Sequence, residues 1–148
     1  MPLAVGYKKV FDKVDLMTEE FIAVRWSVVA PCNHEVILKE ATYHDHVNGD
    51  HTVADADFRM QLEKYVKTTI ENPRYIVADA LNDCRCHFID IGPVTTNSGE
   101  SLRFLKVIVD VSLFPHEVVT WLPERKKVST QGGIIYDKNR GFIKQQQI

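Results

Sequence analysis

A chain of 148 residues, 45% apolar and 26% charged, has the makings of one globular domain, large enough to bury roughly two-thirds of its surface without covalent staples. No apolar run is long enough to span a bilayer, and the first nine residues lack the basic-then-apolar order of a secretory signal, so the expected compartment is cytoplasmic. The net charge of −2 hides an asymmetry: from Trp121 to Lys144 six basic residues face two acids, a local balance of +4, and the remainder stands at −6.

Residues 21–30, rich in β-branched and aromatic side chains and ending before Pro31, predict a strand. A polar turn through Pro31, Cys32, Asn33 and His34 leads to a short apolar stretch over 35–39, which predicts an N-terminal hairpin. Next come His44 and the step His46-Val47-Asn48-Gly49-Asp50-His51, set between a polar strand end and an amphipathic helix. Imidazoles so placed can act as acids, bases or metal ligands near neutral pH.

The main helix is expected from near Thr52 or Asp55, where Thr52-Val53-Ala54-Asp55 resembles a capping box, to Asn72-Pro73, where proline disfavours further helix. Phe58, Leu62, Tyr65, Val66, Thr69 and Ile70 fall on one face as core, and Arg59, Glu63, Lys64 and Lys67 on the other as solvated side chains. Strands are then expected over 75–78, 84–91, 102–113 and 117–122. Turn signals separate them at 81–83, 93–100 and 114–116. The predicted fold is α+β: one amphipathic helix packed on an antiparallel, mostly meander sheet of about four strands. A further hairpin is possible over 132–143, and Gln145 to Gln147 should fray.

A short strand, the His46/His51 step, a helix closed by Asn72-Pro73, the basic-aliphatic stretch around Lys106 and the strand ending in Val118-Val119-Thr120 together resemble a nuclease family. It is the phage-associated branch of the barnase/EndoU/colicin/RelE group, and the resemblance covers residues 36–122, leaving 123–148 as a basic extension of a single domain. It implies a metal-independent endoribonuclease of toxin or effector type, with RNA as substrate and an antitoxin or immunity protein as a possible partner. His46 is the first acid/base candidate, with His51 or His44 second; Arg85 and Lys106 would stabilise phosphate charge, and Thr120 would donate its hydroxyl. No cofactor or metal is implied. Thr52-Val53 stands where the family commonly has a proline-acid pair.

Two other classes fit the same residues. One is a non-catalytic phage or mobile-element binding module on the same scaffold. The other is a small metal hydrolase with His44, His46 and His51 as ligands. Cys84, Cys86 and His87 with Cys32 offer a weaker soft-metal set, and free cysteines are the simpler expectation for an odd number of three.

Overall fold

The computed structural model describes residues 7–11, 19–48, 53–96, 98–124 and 130–143. Among the described residues, nine strands and two helices follow one another as β1 (Tyr7–Phe11), β2 (Glu19–Val29), β3 (Glu35–Lys39), α1 (Glu40–Asn48), α2 (Val53–Glu71), β4 (Tyr75–Ala78), β5 (Arg85–Thr96), β6 (Gly99–Asp110), β7 (His116–Glu124), β8 (Ile134–Asp137) and β9 (Gly141–Phe142). The strands line up as β1-β2-β3-β7-β6-β5-β4-β8-β9. β1 extends the early part of β2, and the other eight form a mixed sheet.

This overturns the expectation of one helix on a four-stranded meander. The β2–β3 hairpin does not stand apart, because β3 pairs in parallel with β7, with Val36 opposite His116 and Ile37 opposite Glu117. The physical reason lies in β3 itself: Val36, Ile37 and Leu38 are all fully buried. Three apolar residues in succession can be buried only where both faces of a strand are covered, and β3, between β2 and β7, is an interior strand. At the opposite end β8 and β9 add two more strands beyond β4. The turn expected over 93–100 is much tighter than its polar composition suggests: β5 runs through Pro93 to Thr96, and β6 begins at Gly99, whose φ of 106° only glycine adopts without strain.

The chain leaves β3 through α1 and α2 and re-enters at β4, four positions away across the sheet. α2 therefore lies over β5, β6 and β7. Leu62, Val66 and Ile70 of the helix meet Phe88, Val94, Leu105, Val107, Val109, Val118 and Trp121 of the sheet in one core. Gly92 lets the helix come close, since a Cβ there would lie 3.0 Å from the Leu62 Cδ2. The helix ends one residue before Asn72-Pro73, as expected from the proline. Among the described residues no helix is long and apolar enough to cross a membrane.

The β4–β8 junction rests on a close backbone approach at Gly132. A Cβ added there would overlap the Ala78 carbonyl oxygen and lie 2.5 Å from its carbon, while Ala78 N–H donates to Gly133 O at 3.0 Å. Gly132→Ala must push β8 off β4, because backbone cannot rotate out of the way as a side chain can. The expected cost is about 1–3 kcal/mol, read as a fall of roughly 2–12 °C in the thermal midpoint. An unchanged midpoint would mean that this junction is not close-packed.

Candidate functional site

α1 holds few apolar residues, and what fixes it is the side that faces the sheet. Tyr43 and His46, three apart, share one face of the helix. Tyr43 stacks with Trp121 at 6.3 Å between ring centroids, and His46 meets the same indole edge-on at 5.6 Å. His44, two residues before His46, is turned away; it is exposed and lies 3.5 Å from Glu40 one turn earlier. The two histidines therefore do not share a site.

His46 is held at both ring nitrogens. Its Nε2 lies 2.7 Å from the Val119 carbonyl oxygen, and its Nδ1 lies 2.8 Å from Arg59 Nη1. A guanidinium can only donate, so Nδ1 must be the acceptor and Nε2 must carry the proton donated to Val119. This assigns a neutral imidazole of one tautomer. Arg59 Nη1 also donates to Thr120 Oγ1 at 2.7 Å, so one nitrogen bridges imidazole and hydroxyl. Val119 and Thr120 lie where the β6–β7 register shifts, between the pairs Ile108–Thr120 and Val109–Val118. A bulge of this kind re-aims backbone and side chains out of the regular ladder. Below the cluster the fully buried Trp121 donates from Nε1 to the Arg59 carbonyl oxygen at 2.8 Å, locking the turn of α2 that carries the guanidinium.

A second polar group braces the helices against β2. Glu63 Oε1 accepts from Arg25 Nε at 2.9 Å and from Trp26 Nε1 at 3.0 Å. Arg25 also lies over the Tyr43 ring at 3.6 Å and reaches Glu40 at 3.6 Å. Arg59 and Glu63 are thus not the solvated side chains expected of the outer helix face. Position 59 is three before Leu62 and seven before Val66, which places it on the buried stripe; that spacing was the available signal for it.

The structure brings His46 and Thr120 together, with Arg59 between them, and does not bring His44, Arg85 or Lys106 to them. Lys106 alternates with Leu105 and Val107, which face α2, so it lies on the opposite side of the sheet, 3.0 Å from Glu124. Arg85 opens β5, two strands from β7, opposite Asp110. His51 lies outside the described residues, as do Thr52, Arg125, Lys126, Lys127 and Lys144. Neither His44 nor His46 belongs to a cluster of three metal-ligating groups among the described residues.

The Cys84/Cys86/His87 set also separates. His87 Nε2 lies 2.9 Å from Asp79 Oδ2, and Asp79 caps the turn that follows β4. The Leu81 N–H and the His87 imidazole hold the Asp79 carboxyl below the usual carboxylate range. Burial pushes the Cys86 thiol up, with smaller contributions from Cys32 and Asp79, while Cys84 is exposed. All three cysteines are free thiols. A groove of about 520 Å³, lined by Arg74, Tyr75, Ile89, Ile91 and Arg140 among others, lies on the sheet face away from α2.

Comparison of the chain with protein families, with curated proteins and with solved structures gave no match, so the geometry stands by itself.

Proposed function

We propose that the chain is a metal-independent endoribonuclease of toxin or effector type, acting at the cluster of His46, Arg59 and Thr120. The observation that carries this reading is the bridging guanidinium: one nitrogen of Arg59 sits 2.8 Å from an imidazole nitrogen and 2.7 Å from a hydroxyl. An acid/base group, a fixed cation and a hydroxyl within one hydrogen-bonded unit are the parts that RNA transesterification requires. The resemblance of residues 36–122 to the phage-associated nuclease branch supports the same reading.

In this mechanism a phosphate entering the cluster draws Arg59 towards its oxygens, since a guanidinium bonds an anion more strongly than a neutral nitrogen. Nδ1 of His46 thereby loses that donor and presents its lone pair. It takes the proton of the ribose 2′-hydroxyl as that oxygen bonds to phosphorus, and Nε2–H stays on Val119 O to keep the ring in place. The bond to the 5′-oxygen breaks, and that oxygen takes a proton from water. Arg59 and Thr120 stabilise the charge that builds on the phosphoryl oxygens. The products are a 2′,3′-cyclic phosphate and a 5′-hydroxyl, and His46 returns its proton to solvent.

The test is incubation of the full chain with an RNA oligomer and its 2′-deoxy counterpart, with and without chelator. Cleavage of RNA alone, with cyclic phosphate ends and no loss in chelator, is expected, and His46→Ala should slow it by about 100-fold or more. Equal cleavage by His46→Ala, or cutting of the deoxy substrate, would sink the proposal. One observation favours a second reading, the non-catalytic binding module: both ring nitrogens of His46 already have partners. On that reading the cluster clasps α1 and α2 to β7, and no variant of it alters the fate of RNA. Binding of an antitoxin or immunity protein belongs to the first reading only.

A further inference from the structure

We propose that Cys32, His34 and His116 form a binding site for a zinc-class divalent cation. The ligand atoms of the three side chains all lie within 4.8 Å of one another. In a four-coordinate site with Zn–S near 2.3 Å and Zn–N near 2.0–2.1 Å, donor atoms stand roughly 3.3–3.6 Å apart, so side-chain rotations of about an ångström close the set.

The backbone explains why these residues meet. Asn33 N–H donates to Ala30 O at 2.9 Å and Ala30 N–H to His34 O at 3.0 Å, closing a three-residue loop between β2 and β3. Pro31 suits the first corner of that turn, and Asn33, at φ 66°, takes the left-handed position that asparagine tolerates best among residues with a side chain. Cys32 and His34 flank Asn33 at the tip. The parallel pairing of Val36 with His116 then sets the start of β7 beside that tip.

His116 is prepared as a ligand. It is only 4% exposed, and its Nδ1 lies 2.6 Å from the Leu113 carbonyl oxygen, to which it must donate. Nε2 is left with its lone pair, and a carbonyl behind the other nitrogen is the usual support for a metal-bound imidazole. The His34 and His116 rings stand 5.0 Å apart, and Phe114 packs against both, at 5.5 and 5.0 Å, as an apolar wall. A thiolate with two imidazoles and no carboxylate selects a borderline-soft ion over magnesium or calcium. Three protein ligands leave one corner for solvent. The bound ion would tie the β2–β3 turn to the start of β7.

The proposal does not rest on the ribonuclease reading, because His116 precedes Thr120 by four residues, about 13 Å along the strand. Cobalt(II) is the probe: titrated into the full chain under reducing conditions, it should bind at one per chain. A sulfur-to-cobalt charge-transfer band and the visible bands of a four-coordinate ion are expected, all displaced by zinc and not by excess magnesium. Cys32→Ser should abolish the charge-transfer band, and His34→Ala, at an exposed position that leaves the fold intact, should weaken binding at least tenfold. Cys84→Ser should change neither. Absence of the band in the wild-type chain, its survival in Cys32→Ser, or its loss in Cys84→Ser would each overturn the site.

Discussion

Replacing Trp121 by alanine is expected to cost about 3–5 kcal/mol, the range for removing a large aromatic from a closed core. The ring is fully buried, stacks with Tyr43, meets His46 edge-on and donates to the Arg59 carbonyl oxygen. Its loss opens a cavity where α1, α2 and β7 come together. The thermal midpoint should fall by roughly 6–20 °C for a domain of this length. Since the whole stability of such a domain is about 5–15 kcal/mol, the variant is expected to stand close to the threshold of folding. Trp121→Phe separates the two contributions: it keeps most of the apolar volume and removes the donor, so about 1–2 kcal/mol should be lost. Equal losses in the two variants, measured by denaturant titration, would show that the indole hydrogen bond and not the ring volume holds the helices.

The parts of the fold that local chemistry dictates were legible in the sequence, and those that depend on distant partners were not. α2 announced itself by Leu62, Val66 and Ile70 at helical spacing and by Pro73 beyond its end. The hairpin of β2 and β3 followed from two apolar runs around Pro31 and Asn33. α1 was not legible, because Glu-Ala-Thr-Tyr-His-Asp-His-Val-Asn has weak helix propensity and no apolar stripe; tertiary contact of Tyr43 and His46 with Trp121 stabilises it. The parallel β3–β7 pairing is a contact between residues about 80 apart, and only the unbroken apolar run Val36-Ile37-Leu38 hinted at it.

The candidate site divides in the same way. His46 and Thr120 were named from order and residue type, and the structure sets them 2.8 and 2.7 Å from a common nitrogen. Arg59 was misassigned because a charged residue on an amphipathic helix is by default solvated, and its carbonyl bond to Trp121 has no local signature. Lys106 stands apart from the cluster for a different reason. Leu105 and Val107 face the core, so by alternation Lys106 lies on the other face of its strand, 3.0 Å from Glu124.

Arg59 is also where the two readings of the cluster part most sharply. Arg59→Ala leaves His46 Nδ1 and Thr120 Oγ1 without their donor in a half-buried place, and should destabilise the fold by about 1–3 kcal/mol whichever reading holds. Its effect on RNA cleavage differs. If the guanidinium meets the developing phosphorane, losing it should lower the rate by about 100- to 1000-fold, as for other donors aimed at transition-state charge. Arg59→Lys keeps the charge but loses the planar guanidinium whose Nη1 reaches both His46 and Thr120, so it should recover part of the rate while remaining less stable than the parent. A clasp without chemistry would lose stability in the same order and leave RNA untouched in all three chains. The decisive comparison is therefore the ratio of cleavage rates for Arg59→Lys and Arg59→Ala, measured at a temperature where both are fully folded. Rates for both variants equal to that of an active parent would remove Arg59 from the reaction and leave His46 to act through another cation.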